Sequence, residues 1–401
     1  QGFTRQGRAR FGSLTLPAGL DEPELALTDA AVQLAWQIKG DDVSVQFTQG
    51  RVQNDDVAGE FNGNWKTGER DERLPGVLDL TASFSRAQVA QIHRYLPNVL
   101  PVDVRTYVRQ SVLAGEGSRG LVRLRGHLKD MPFDNPKLGE FRVSTQIVHG
   151  KYAYVPPPAS KAKTASESTW PALTEVDGEL VFERSGLRFT GRTQLAGAPG
   201  VTWQKVEAHI PDLAQPVVQV AGEAHGPAQQ VFHMVANSAL NDLTAGVLNK
   251  SQASGDASYK LSLTLPIDQL QKTQVQASVT FADNDLQIIP GTPVLNRTRG
   301  VLNFTETGFQ LKGLQAQLLG GNAVLDGGLT FAQTQEASPL QLKISGELTA
   351  DGLRQARELG LVSRVAQRAT GKTNYTATLG LQRGQPQLLI LSDLKGMALS
   401  L

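Results

Sequence analysis

Apolar side chains recur at every second position through most of this 401-residue chain, the spacing of strands that bury one face and leave the other in water. Val43, Val45 and Phe47 follow a turn at Gly40 to Asp42. Leu261, Leu263 and Leu265 repeat the pattern, as do Val275, Ala277, Val279 and Phe281. Forty glycines supply turns and bulges between such runs. Helical spacing is rare. Ser85 is read as the cap of a helix through Ile92, and Pro101 as the first position of a second. That second helix stripes Val104, Val108 and Val112 and ends at Gly115. Two more helices are expected near 228–248 and 352–369, the latter carrying Leu353, Ala356, Leu359 and Val362 with Gly371 beyond its end.

The strands repeat. WPALTEVDGELVFERSGLRFTG, from Trp170, and TPVLNRTRGVLNFTETGFQLKG, from Thr292, read as one hairpin written twice, offset by 122 residues. Pro171 falls on Pro293, Gly178 on Gly300, Leu180 on Leu302, Phe182 on Phe304, Leu187 on Phe309 and Phe189 on Leu311. Downstream, Gly222 corresponds to Gly346, Gly255 to Gly371 and Tyr259 to Tyr375. A fainter third strand, helix, strand copy is read at GVLDLTASFSRAQVAQIHRYL and GLVRLRGHL. Units that each bury one face complete one another's core as an array. The segment Val155 to Thr169, rich in Pro, Ser and Lys and without a period, is expected to be a flexible polar loop. The organisation expected is 1–154 as an N-terminal segment with two helices, 155–169 as that loop, 170–291 as one repeat and 292–401 as a second.

Charge and composition narrow the function by exclusion. Lys plus Arg is 39 against 38 for Asp plus Glu, so the chain lacks the basic field of a nucleic-acid binder. The absence of cysteine removes disulfides, thiolate nucleophiles and Cys-ligated zinc. There is no run of about 18 apolar residues and the chain starts at Gln1, so it is read as a piece of a longer protein whose anchor lies elsewhere.

Motifs with chemistry are weak. Gly115, Gly117 and Gly120 spell Gly-x-Gly-x-x-Gly, but after a helix and before a strand, the reverse of a dinucleotide site, so a helix cap and turn is expected. Gly371, Lys372 and Thr373 resemble the end of a phosphate loop whose first glycine is replaced by Ala366. His93, His127, His149, His209, His225 and His233 show no metal-ligand spacing. The acidic pairs Asp55 with Asp56 and Asp71 with Glu72 read as turn residues rather than as the paired acids of a glycosidase. No catalytic residue, metal or cofactor is assigned.

An extended pattern carries more information. Tyr95-Leu96-Pro97, Leu100-Pro101, Arg105, Leu113, Gly117, Arg125-Gly126, Pro132-Phe133, Gly139, Phe141, Trp170-Pro171 and Gly178 occur in order over roughly 100 residues. This order, with VQNDDVAGEFNGNW upstream, resembles the YhdP branch of the AsmA-like envelope proteins. The segment Val155 to Thr169 departs from that pattern. The resemblance implies a mostly β protein: an elongated, curved and twisted antiparallel sheet forming a repeating β-groove with a few short helices. It implies a periplasmic bridge, anchored in the inner membrane by a segment outside this chain, that carries phospholipids toward the outer membrane without catalysis. The alternative is a non-catalytic envelope scaffold or assembly protein; a β-helix enzyme or sugar binder is a third reading. The residues expected to line the lipid groove are Leu180, Phe182, Leu187, Phe189, Leu302, Phe304, Phe309, Leu311, Leu342 and Ile344. Some twenty strands at about 4.8 Å would extend on the order of 100 Å.

Overall fold

The computed structural model describes residues 3–10, 13–15, 24–69, 72–98, 100–157, 169–244, 246–330, 340–382 and 385–400. Most of the segment expected to be a polar loop, 158–168, lies outside the described residues.

Alternation alone does not fix strand order; the hairpin turns do. Among the described residues a 21-stranded antiparallel sheet forms, in which each strand pairs with the next along the chain. It opens with Phe3–Arg10 against Asp29–Lys39 and runs through to Ala369–Gln382 against Gln385–Leu391. The short strands Gln252–Ala253 and Met397–Leu399 pair beside their neighbours' ends. Gly139–Tyr152 pairs directly with Leu173–Glu183, so the sheet continues across the polar segment.

The duplication is visible in the backbone. The hairpin strands Leu173–Glu183 and Gly186–Leu195 have counterparts Leu295–Thr305 and Gly308–Leu318, whose first residues lie at the 122-residue offset. Strand, helix, strand occurs three times. Val77–Gln88 leads through Val89–Tyr95 and Val102–Ser111 into Val112–His127. Val217–Pro227 leads through Ala228–Ala236 and Leu240–Leu243 to Asp256–Pro266, and Leu340–Thr349 through Ala350–Gln355 and Leu361–Val365 to Ala369–Gln382. Six long strands separate one insertion from the next, so the faint third copy has the same architecture as the other two.

The helix boundaries differ from the sequence reading. Ser85 caps nothing: it lies inside the strand Val77–Gln88, where its hydroxyl donates to the Ala58 carbonyl, and a 3-10 helix starts at Val89. Pro101 is the N-cap of Val102–Ser111 rather than its first residue, and Val112 already belongs to the next strand. Gly115, Gly117 and Gly120 are therefore strand residues, not a helix cap and turn. The reason is packing: a ring carbon of Phe84 occupies the space where a Cβ on Gly120 would stand. The stretch 352–369 is four short helical pieces, broken at Gly360, whose φ is +58°.

Bulges bend the strands. Gln49, Arg119, His149, Glu175, Lys205 and Arg297 all have φ between 47° and 52°, and each sits at a shift of pairing register. An extra residue in this left-handed conformation kinks its strand and increases its twist. The three strands carrying Arg119, His149 and Glu175 are consecutive, so their bends add into curvature of the whole sheet. A bulge also restores the facing pattern. Leu311 and Leu314 are three residues apart yet both buried, because Gly313, at φ 63°, absorbs the extra step.

Candidate functional site: a one-sided apolar lane

Residues directly paired across an antiparallel ladder point to the same face. That rule can be followed from strand to strand. Phe61 faces Ala82, Ala82 faces Val122, Val122 faces Val143, Val143 faces Phe182, Phe182 faces Leu187 and Leu187 faces Ile210. A parallel line runs Phe189, Ala208, Val220, Leu263, Val275. Further on, Leu261 faces Ala277, Ala277 faces Phe304, Phe304 faces Phe309, and Phe309 faces Leu329. Leu302 faces Leu311, Leu311 faces Gly327, Gly327 faces Leu342 and Leu342 faces Leu379. Ile344 sits between Leu325 and Ala377. Nine of the ten residues singled out in the sequence lie on these lines, and the tenth, Leu180, faces Phe189 on one side and Thr145 on the other.

The other face is polar along equivalent lines. Asp79 faces Arg125, which faces Glu140; Gln146, Glu179, Thr190 and Glu207 follow one another; Gln219 faces Thr264, and Thr264 faces Gln274. Arg142 with Glu183, Lys260 with Glu223, Lys372 with Glu347 and Arg299 with Asp283 form ion pairs at 2.8 to 3.0 Å. Exposed pairs of this kind add about 0–1 kcal/mol each. Their main effect is to keep this face hydrated.

The apolar face has two regimes. Near the N-terminal end it is an open trough of about 620 Å³ lined by Val32, Leu34, Phe47, Phe61, Leu78, Leu80, Ala82 and Val122, all apolar. Most of these side chains are only half-buried. Toward the C-terminus the same face becomes a packed cluster, from Ala198 and Val201 through Tyr259, Phe281 and Leu286 to Leu311, Leu314 and Leu325. The helix Ala228–Ala236 docks on this cluster through Val231, Phe232, Met234 and Val235. A second cluster gathers Leu318, Leu348, Tyr375 and Ala377 with Leu353, Ala356 and Leu359 of the third insertion. The first insertion covers less: Val102, Val104 and Tyr107 of Val102–Ser111 remain exposed.

The sequence pattern that suggested a family resolves into joints. Phe133 is fully buried, its ring over Gly126 and Gly139, where any Cβ would stand 2.6 and 2.5 Å from ring carbons. The Tyr95 hydroxyl donates to Asp56 at 3.0 Å and accepts from Asn54 Nδ2 at 2.9 Å, while Arg94 pairs with the same carboxylate. Arg105 Nε donates to the Leu100 carbonyl at 3.1 Å. These contacts fix the first helical insertion against the turn that carries Asn54 and Asp56.

The eight trough residues near the N-terminus are absent from the set picked out by sequence. Their alternation stands in the sequence, in Val43, Val45 and Phe47 and in Leu78, Leu80 and Ala82, but outside the repeated hairpins. A larger concavity, about 830 Å³, is lined by residues of both faces, Glu183, Arg184, Arg188, Glu207 and His209 together with Leu187, Ala208, Val220 and Leu263 of the lane. Its charges are mixed in sign, with no convergent set of donors or acceptors. Among the described residues no cluster of three or more His, Asp or Glu could hold a metal ion, and no helix is long and apolar enough to cross a membrane.

An open, curved antiparallel sheet with one apolar and one polar face, interrupted at intervals by short helices, defines the class of repeating β-groove proteins. The chain belongs to the YhdP protein family, whose pattern it matches over residues 6–401. It is 26% identical over 240 residues to the intermembrane phospholipid transporter YhdP of Escherichia coli (strain K12). That match covers 60% of this chain and 18% of the relative, so the matched part spans less than a fifth of the relative's length. No solved structure matches.

Proposed function

We propose that the apolar lane carries the acyl chains of phospholipids, and that this chain is a segment of a periplasmic bridge between inner and outer membranes, anchored in the inner membrane by a part outside it. The observation that carries this reading is the unbroken one-sidedness of the sheet, strand after strand, ending in the open trough lined by Leu34, Phe47, Phe61 and Leu80. A soluble sheet with a wide apolar face covers it with protein or with a ligand. Burying one methylene is worth about 0.8 kcal/mol, so exposing a chain of about 16 carbons to water costs on the order of 12 kcal/mol. A continuous apolar surface removes most of that barrier while the headgroup stays hydrated. The work is passive solvation, with no bond made or broken, and the family relationship supports it: the Escherichia coli relative is named as a phospholipid transporter.

The non-catalytic scaffold reading draws support from the packed regime, where Leu311 and Leu314 are only 8% and 4% exposed. Photocrosslinking separates the two. A photoreactive residue replacing Phe47 or Leu80 in the full-length protein in cells should capture phospholipid, whereas one replacing Gln46 or Asn64 on the opposite face should not. Absence of lipid from Phe47 and Leu80, or equal capture from both faces, would overturn the lipid reading.

A further inference from the structure

The helical run that closes the third insertion is built inside out. Leu361–Val365 and Ala366–Arg368 follow one another without a break. At about 100° per residue, Leu361, Val365 and Arg368 fall on one side, flanked by Val362 and Arg364, and Ser363 and Ala366 take the opposite side. The small side faces the protein: Ser363 and Ala366 are 8% and 3% exposed, whereas Leu361, Val362 and Val365 are 66%, 50% and 50% exposed. Leu399, paired with Ala369 just beyond the run, adds another exposed apolar side chain.

The fold does not demand this. The second insertion occupies the equivalent place between strands, and its helix Ala228–Ala236 turns Val231, Phe232 and Met234 onto the lane cluster. Charge separates the two insertions as well. Residues 228–251 carry Lys250 as their one Lys or Arg and Asp242 as their one acid, whereas residues 350–368 carry four arginines. Around the third insertion most charges are matched: Arg354 pairs with Asp351, Lys372 with Glu347 at 2.9 Å and Lys395 with Asp393 at 3.2 Å. Among the described residues Arg357, Arg364 and Arg368 have no such partner. The exposed apolar side chains are therefore bordered by three free cations against the carboxylate of Glu358.

We infer that this face docks on the surface of an anionic phospholipid bilayer, with Leu361, Val362 and Val365 entering the boundary between headgroups and tails and Arg357, Arg364 and Arg368 meeting phosphates. Apolar side chains bordered by arginine are the composition of a helix that lies in a membrane interface. An anionic leaflet attracts each basic residue close to its surface, so the arginines and the apolar residues act together. A second copy of this chain would bring the same cations to the contact, and a purely apolar partner would leave the arginines unanswered. The lane cluster uses other residues of this insertion, Leu353, Ala356 and Leu359, so the docking face stands apart from the lane and from the lipid reading of it.

The chain has no cysteine, so a single introduced thiol reports on one position. An environment-sensitive dye is placed on Val365→Cys, with Gln46→Cys on the polar face and Phe47→Cys in the trough as references. Each labelled chain is mixed with vesicles of phosphatidylcholine alone or of an equal mixture with phosphatidylglycerol. The expected result is a blue shift at position 365 with the mixed vesicles only, lost at high salt. Vesicle affinity should fall about fivefold for each of Arg357→Gln, Arg364→Gln and Arg368→Gln, with melting temperatures unchanged because these side chains are exposed. No shift at position 365, an equal shift with both vesicles, or affinity that survives the triple replacement overturns the proposal. A shift at position 47 without one at 365 also overturns it while supporting the lane, since vesicles then engage the trough. A shift at position 365 that grows with protein concentration in the absence of vesicles overturns it by assigning the face to a second copy.

Discussion

Phe304 and Phe309 face each other across the hairpin turn at Glu306 and Thr307, ring centroids 6.0 Å apart and planes tilted by 53°. In the preceding copy the same ladder position pairs Phe182 with Leu187. Both couples lie on the apolar face and are half-buried, neither sealed nor fully wet. A carboxylate introduced there keeps its hydration and interrupts the hydrocarbon surface.

Phe304→Asp is expected to lower lipid photocrosslinking downstream of the hairpin by at least about tenfold, the factor that corresponds to only 1.4 kcal/mol of added barrier. Stability should fall by about 1–3 kcal/mol, with the circular dichroism spectrum retained. Normal crosslinking in a folded variant would show that Phe304 is not on the path.

Replacement of Gly139 by Ala forces a methyl into the Phe133 ring and should cost about 1–3 kcal/mol, whereas Phe133→Ala should cost about 3–5 kcal/mol. The two changes share one contact, so the double variant should be less destabilised than their sum. Gly40→Ala meets open space and only the strain of φ +58°, about 1 kcal/mol. Denaturant melts of the four variants check the order.

Loss of the Asp56 carboxylate leaves the Tyr95 hydroxyl and the Arg94 guanidinium without a buried acceptor they share. Asp56→Ala should therefore destabilise by about 2–4 kcal/mol. Amide exchange should accelerate first in residues 89–95, before the sheet responds. Uniform acceleration would place the network's effect in the whole fold.

The Glu175 carboxylate, accepting a hydrogen bond from His149 at 3.0 Å, holds the imidazole pKa above its ordinary value, with further attraction from Asp177. The extra stability is complete below the unfolded histidine pKa, about 6.5, and fades as pH rises through the higher folded value. Glu175→Gln should move the His149 titration, followed by NMR, to lower pH. An unchanged titration would show that the exposed pair is not formed in solution.

Alternation and the 122-residue offset were legible because each depends on side chains spaced along a single strand. Leu180, Phe182, Leu302 and Phe304 could be placed on a common face from sequence for that reason. The bulges were not legible. Glycine or asparagine normally marks a left-handed residue, whereas here Gln49, Arg119, His149, Glu175, Lys205 and Arg297 take it, held by neighbouring strands rather than by their own preference. The same tertiary control turned Gly115 to Gly120 from a helix cap into strand, since the deciding contact, Phe84 over Gly120, joins residues 36 positions apart. The step from open trough to packed cluster was hidden too: it depends on where the helix Ala228–Ala236 docks, which periodicity does not encode.

The equal offset of the two hairpins has a consequence for size. Leu173 maps on Leu295 and Gly186 on Gly308 without a residue gained or lost, so the hairpin that opens one unit has the same dimensions as the hairpin that opens the next. Reach in such a molecule grows by whole units: each added copy of six strands extends the sheet by about 29 Å, while register keeps the hydrocarbon side of every strand on one face. The distance between two surfaces is then matched by counting copies, as a ruler is cut only at its marks.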